Sequence, residues 1–439
     1  MNYIYNLNLY ILTILISGLS LAYIIGPSIL NIVVFLISIL TIFIILNKIY
    51  KLNFDFINKY VLIFFFYYIY IIILSFYSDN PKLSFSNTLP FIKFFFLFIA
   101  LKTIIEKKII TYNNILLLFS LPFFFILFSS VLEILSNFFI DNYLDENFSG
   151  LFFEEKILGS FISRNLPIAV GLFFVLFKNN KNIHIYIFIL IILSLVVIIF
   201  SSERAAILNL ISFIFLLFIF KVYKFNLKFF LSIIIIIISL LFISLNTINL
   251  NSGLIKKTFN QVSYEKINFI LPIPDHYLLH YLSAIEIFKY NKVFGIGPKM
   301  FREKCSLDEF HFKGWDLYHH IETHKASNLT QEQTDENAKI ARIDSLSSCS
   351  THPHHMHFQI LSETGIIGYA YFLLFIFLII NHYFKFLKNQ NANINLNKLL
   401  LIGIIMNISP FTTSGNIFSS YFGTMIFMPI LFFLVDKKT

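Results

Sequence analysis

The sequence predicts an all-α polytopic membrane protein of about twelve transmembrane helices with one large, partly helical exterior loop. Three observations carry this. The 439 residues are 57% hydrophobic and only 13% charged, against about 25% charged in soluble domains, too few charges to cover a soluble surface of that size. Runs such as VLIFFFYYIYIIILSF, FFLSIIIIIISLLFI and FLLFIFLII lie within apolar stretches that approach the ~20 residues a helix needs to cross ~30 Å of hydrocarbon. The lysines are distributed asymmetrically between alternate loops, as membrane orientation requires.

In chain order, MNYIYNLNLYILTILISGLSLAYII has no basic leading region and no small-residue cleavage site, so it reads as a first span and not as a removed signal peptide. Nine spans are expected in residues 1–248, near 8–25, 27–47, 60–77, 87–105, 112–139, 157–177, 183–202, 205–220 and 229–248. A polar segment follows over 249–356. Residues 357–439 hold three more spans, near 357–384, 399–414 and 420–435. With the N-terminus inside, the inner loops 48–59, 102–108, 178–181, 221–228 and 385–398 and the tail 437–438 hold sixteen lysines, against Lys82, Lys156 and Arg204 in the short outer loops. Both termini are therefore expected inside and the 249–356 segment outside. That segment has equal numbers of acidic and basic residues. The net charge of +9 thus records orientation and gives no reason to expect nucleic acid as a partner.

The polar segment holds both cysteines, the only tryptophan and most of the histidines. Cys305 and Cys349 read as a disulfide in an oxidising exterior, with two free thiols as the alternative. Neither belongs to a C-x-x-C pair, which disfavours zinc. The run His352-Pro353-His354-His355-Met356-His357 sits where the loop enters the tenth span. Its residues admit three readings: proton transfer near neutral pH, a transition-metal site, or interfacial polar residues with no task. Arg204 lies in SSERAA, in the tight outer turn between spans seven and eight, beside Glu203. Arg164 and Lys93 fall in the outer thirds of spans six and four. Cations at such depth usually have a partner or a task. These could converge on an anion, for which a guanidinium's fork of donors suits phosphate. The competing reading is snorkelling, or pairing with Asp141, Asp145, Glu146, Glu154 and Glu155. Residues 276–290 have apolar positions at helical spacing and read as an amphipathic surface helix. Gly295-Ile296-Gly297-Pro298 is a turn with an architectural role, and Arg302 just beyond it is a possible anion contact.

HPHHMHFQILSETGIIG resembles the signature of the O-antigen ligase/polymerase superfamily: His, then Asn, Ser or Gln, nine residues and G-x-x-G. The essential histidine falls at His354 and the glycines at Gly365 and Gly368. SSERAA resembles that family's Ser-x-Arg-Gly/Ala turn, with Arg204 as its arginine. NKVFGIGPKMF is similar to its N-P-x-x-G-x-G-x-x-x-F segment, and SGLFFEEKILGSFISRNLP to a subgroup motif that includes Arg164. Two departures stand out. His355 replaces the usual Asn, Ser or Gln, and the loop arginine ahead of the surface helix has no clear counterpart, His276 and Arg302 being nearest.

The resemblance implies a GT-C-like architecture in the bacterial inner membrane, with the loop periplasmic. It implies transfer of a glycan from undecaprenyl diphosphate to an acceptor hydroxyl, without metal or other cofactor. His354 would be catalytic. Arg204, Arg164, Arg302 and Lys93 would bind the diphosphate, with His352 and Glu363 behind His354. The expected acceptor is lipid A core, making the enzyme a ligase; the alternative is a polymerase extending the glycan on its lipid carrier. A lipid-linked glycan transporter is disfavoured, because charge is nearly absent from mid-span.

Overall fold

The structure is a computed structural model that describes residues 2–46, 59–137, 148–152, 157–177, 180–201, 203–222, 275–313, 346–388 and 394–435. The predicted ninth span, residues 249–274 and 314–345 of the polar segment, and the five acids of the 141–155 turn lie outside them. Among the described residues the regular elements are helices: α1 (Asn2–Ser17), α2 (Leu19–Ile25), α3 (Pro27–Leu46), α4 (Lys59–Tyr77), α5 (Pro81–Phe91), α6 (Lys93–Glu106), α7 (Tyr112–Ser136), α8 (Leu158–Leu176), α9 (Ile183–Phe200), α10 (Arg204–Ile219), α11 (Asp275–Tyr290), α12 (Phe301–Lys304), α13 (Met356–Lys388), α14 (Ile394–Asn407) and α15 (Ser420–Val435).

Seven of the described helical stretches are long and apolar enough to cross a membrane, or eight if the pair bent by 45° between α1 and α2 is one span. Helices α5 and α6, interrupted at Ile92, make one such stretch from Pro81 to Glu106. The predicted eighth, eleventh and twelfth spans are the shorter apolar helices α10, α14 and α15. The protein is an integral membrane protein of the all-helical class. Large side chains such as Ile14, Phe35, Phe66, Phe125, Phe215 and Phe377 are exposed, as expected of helices whose outer faces meet lipid. Helix α8 is the buried centre, packed by α7, α9, α10 and α14.

One boundary needs correction. The eleventh span was expected to run to residue 414, but α14 stops at Asn407. Pro410 supplies no N–H and disfavours helical backbone at Ser409, so residues 408–419 form a connection instead of a last helical turn.

The amphipathic helix is present as α11. It buries Leu279, Tyr281, Ala284 and Ile287 and packs against α13. Helix α13 breaks at Gly365 (φ 65°, ψ −170°), and the G-x-G turn docks into the break. The Ile296 and Gly297 N–H groups donate to the Ser362 and Glu363 carbonyls (3.1 and 2.9 Å), and the Ile366 N–H donates to the Lys292 carbonyl (2.8 Å). The Tyr70 hydroxyl donates to the Thr364 carbonyl at 2.7 Å. Backbone groups freed by the break are thus paired, as a buried break requires. A Cβ on Gly365 would lie 2.2 Å from the Val293 oxygen, and one on Gly295 would lie 2.5 Å from the Gly365 nitrogen. The first glycine of G-x-x-G is therefore a packing requirement.

Candidate functional site

The histidines of the 352–357 run divide according to what their ring nitrogens already do. His357 donates from Nε2 to the Ile408 carbonyl (2.8 Å) and accepts at Nδ1 from the Tyr369 hydroxyl (3.0 Å). His355 donates from Nε2 to the Pro410 carbonyl (2.9 Å) and accepts at Nδ1 from the Phe358 N–H (3.4 Å). Both nitrogens of each ring are engaged, and one bond from each ring holds the 408–410 segment.

His354 is different. It lies in the left-handed region at φ 54°, and its carbonyl accepts from the Ser414 N–H at 2.9 Å. Its Nε2 is 3.2 Å from Ser350 Oγ. Its ring is grouped with those of His352, Tyr277 and His280, at centroid distances of 4.2, 5.4 and 5.5 Å. Burial, together with the imidazoles of His352, His280 and His276, pushes the His354 pKa down to about 3. Burial likewise lowers His352 to about 4 and lowers His280. These rings are neutral at physiological pH, because a charged imidazole would lose hydration and meet like charges. His280 donates from Nδ1 to the Ser348 carbonyl at 2.8 Å. Among the described residues no three His, Cys, Asp or Glu side chains are arranged to hold a metal ion.

Arg204 opens α10, and its charge acts on the Tyr277 hydroxyl, opposing the rise that burial causes there. Tyr277, with its ring 5.4 Å from that of His354, thus lies within the electrostatic reach of Arg204. Arg302, in α12, has a buried Nε with no hydrogen-bond partner among the described residues, and its charge reaches His352 and Glu363.

The other expected site residues are engaged within the bundle. Arg164 is buried; its terminal nitrogens donate to Asn407 Oδ1 (3.0 Å) and the Thr413 carbonyl (3.1 Å), and its guanidinium lies over the Phe422 ring. Thr413 directly precedes Ser414, so Arg164 anchors the segment that bonds the His354 backbone. Lys93 is also buried, with its ammonium bonded to Asn31 Oδ1 and Ser420 Oγ. Glu363 does not reach His354. It is fully buried and accepts from Gln359 Nε2 (3.1 Å) and the Phe301 N–H (3.4 Å). That geometry ties α13 to α12 and replaces the expected role behind His354. Cys305 and Cys349 form a disulfide with Cα atoms 5.1 Å apart, fixing the residue before Ser350 to the end of α12.

Several residues were not foreseen. Gln359 donates to Asn416 Oδ1 (2.9 Å) and accepts from the Ile417 N–H (3.3 Å). The 408–417 segment thus receives bonds from His354, His355, His357, Gln359 and Arg164. Its sequence, ISPFTTSGNI, carried a signal in Ser-Pro and Ser-Gly-Asn that was read as the end of a span. Gln359, four residues before Glu363 on one helix face, was a second.

The fold and site define a helical membrane protein in which α11 sets Tyr277 and His280 against His354, within the electrostatic reach of Arg204. Residues 188–373 match the family model described as O-antigen ligase, which supports the O-antigen ligase/polymerase superfamily that the motifs resemble. The match indicates ligase-like or polymerase-like activity on lipid-linked glycans. It takes in Arg204, α11, the disulfide, His354 and both glycines of G-x-x-G; Lys93 and Arg164 lie outside it. No curated protein matches the chain.

Proposed function

We propose that this protein is an inverting, metal-independent glycosyltransferase that moves a glycan from undecaprenyl diphosphate to an acceptor hydroxyl. It works at the periplasmic face of the inner membrane, with both termini cytoplasmic. We assign it as an O-antigen ligase acting on lipid A core. The observation that carries the reading is the grouping of His354, whose ring among the described residues bonds only Ser350 and not the 408–417 segment, with Tyr277 in the field of Arg204.

On this reading Arg204 binds the diphosphate, with Arg302 the second cation nearest the histidines. Arg164 and Lys93, already hydrogen-bonded, add positive potential from within the bundle. The acceptor oxygen attacks the anomeric carbon from the face opposite the diphosphate. The C1–O bond breaks with its electron pair passing to the phosphate oxygen, and the new charge is met by guanidinium donors. The acceptor proton passes to the neutral His354 imidazole. His352 packs beside that ring and limits its orientation.

The test is glycan transfer by the purified chain in liposomes, with EDTA present. Wild type should transfer, whereas His354→Ala and Arg204→Ala should each abolish transfer while still folding and inserting. Full activity in either variant would overturn the role assigned to that residue. Loss of wild-type transfer in EDTA would overturn metal independence. A lipopolysaccharide gel of a deletion strain separates the acceptors: bare core supports the ligase, and core bearing one repeat means a polymerase.

A further inference from the structure

We infer that Glu203 is a positioning residue, which clamps the start of the arginine-bearing helix α8 and thereby fixes Arg204 against it. This rests on the diphosphate-binding role proposed for Arg204. Helix α8 starts after Ile157, an apolar N-cap that makes no side-chain bond to it, leaving its first amides without the usual capping oxygen. Glu203 supplies both oxygens from another helix. Its Oε1 accepts from the Gly159 N–H at 2.6 Å, and its Oε2 accepts from the Ser160 N–H at 2.9 Å and the Ser160 hydroxyl at 2.6 Å. A carboxylate is favoured here by the helix dipole and by charge-assisted bonding.

Glu203 is also the N-cap residue of α10, in extended backbone (φ −92°, ψ 102°), and makes no side-chain bond to its own helix. It therefore spends its side chain on α8 while its backbone leads directly into Arg204. Ser160 and Arg164 are four residues apart on α8, on one face, so the clamp lies one turn from Arg164. The charges of Glu203 and Arg164 act on each other.

Helix α8 approaches the 201–206 turn closely at Gly159. A Cβ on Gly159 would lie 2.4 Å from Ser201 Oγ, 3.0 Å from Ala206 Cβ and 3.1 Å from Glu203 Oε1. Gly159 and Glu203 form one device, in which the glycine permits the approach and the carboxylate locks it. Capping α8 alone would not require the capping group to sit next to Arg204; fixing Arg204 does.

The experiment is a double-mutant cycle on the full chain in nanodiscs, read as Kd for undecaprenyl diphosphate, with kcat/KM for transfer measured on the Glu203 and Gly159 single variants. E203A should lower kcat/KM roughly 100-fold, the scale of a 1 Å misplacement, and weaken undecaprenyl diphosphate binding. It should add little once Arg204 is already alanine, because the two act as a unit. E203Q retains one acceptor oxygen and should show a smaller loss. G159A leaves the carboxylate in place but separates the helices, and should lose as much as E203A. If E203A fails to fold, E203Q and G159A carry the same cycle. Wild-type values in the Glu203 and Gly159 variants beside a defective R204A would overturn this inference alone, as would losses that add fully to those of R204A. Wild-type binding and transfer in R204A would overturn the proposed role of Arg204, and this inference with it.

Discussion

Gly365→Ala tests whether the helix break builds the site. The native backbone at Gly365 (φ 65°, ψ −170°) lies in a region essentially open to glycine alone, which costs another residue about 1–3 kcal/mol. The new Cβ would lie 2.2 Å from the Val293 oxygen, 2.5 Å from the Val293 carbonyl carbon and 2.7 Å from the Gly295 nitrogen. All three are backbone atoms, so rotating a side chain relieves nothing. The 292–297 turn would have to withdraw by on the order of 1 Å to restore ordinary contact. Overpacking of this kind costs about 1–3 kcal/mol, so the sum is roughly 2–6 kcal/mol. The same turn ends α11, which carries Tyr277 and His280 to His354. Transfer should therefore fall even at temperatures where the variant remains folded. Gly26→Ala is the control: Gly26 also has positive φ (136°), but no atom lies within 4 Å of an added Cβ, so it carries strain without displacement. The assay pairs thermal inactivation of the detergent-solubilised protein, followed by size-exclusion fluorescence, with transfer in liposomes at low temperature. G365A should lose both readouts, and G26A should lose thermal resistance while keeping transfer. Wild-type transfer in G365A would refute the claim that the docked turn sets the geometry around His354.

Three further outcomes follow. Because His354 is pushed down to about 3, its neutral form persists as pH falls through the ordinary histidine range and is lost only near the depressed value. The acid limb of the kcat/KM profile should have its midpoint below pH 5; a midpoint at 6.5 or above would contradict the buried, like-charged surroundings described for that ring. Breaking Cys305–Cys349, which spans a sequence separation of 44, removes roughly 4 kcal/mol on the chain-entropy account and frees Ser350 beside His354. Reductant should therefore slow transfer and lower thermal resistance in wild type and do neither in the C305S/C349S double variant; equal sensitivity in both would show that the bridge is irrelevant. Gln359→Leu leaves the Ile417 N–H without its partner and removes one of the bonds to the Glu363 carboxylate, a loss of about 1–3 kcal/mol or more. It should reduce both thermal resistance and transfer, and unchanged behaviour would remove the 408–417 segment from the account of the site.

Much of the bundle was legible because hydropathy over eighteen or more residues is a strong signal, and α11 because its apolar spacing is helical. The eleventh span was misjudged since hydropathy cannot tell an apolar last turn from an apolar connection; Pro410 was the better guide. Within the site, Arg204 and His354 stood out as a rare residue type and a dense motif. The partners of the buried cations did not. Asn31 and Asn407 are single polar residues beside apolar runs and Ser420 is the second of a Ser-Ser pair, and only tertiary packing shows that Asn407 meets Arg164 and that Asn31 and Ser420 meet Lys93. Glu203 was visible next to Arg204, but its bond to α8 is long-range and leaves no local trace.

The placement of Glu363 bears on the chemistry itself. It is the one carboxylate in the 352–368 motif, and a carboxylate against an imidazole would raise its pKa and make it a stronger base. Here Glu363 is turned toward Phe301 and Gln359, while His354 is surrounded by imidazoles and Tyr277. The ring is therefore a weak base that is always available, which suits one kind of displacement better than another. If the acceptor had to be ionised before attack, so depressed a pKa would leave little driving force for removing its proton. In the proposed reaction the diphosphate is a good leaving group and Arg204 stabilises its departure, so cleavage of C1–O can run ahead of attack. The acceptor oxygen then becomes acidic as it bonds to the anomeric carbon, and a weak base within reach suffices to take the proton. The burden of catalysis falls on the guanidinium and on its exact placement, which is the reason to look for the residues that hold Arg204 still.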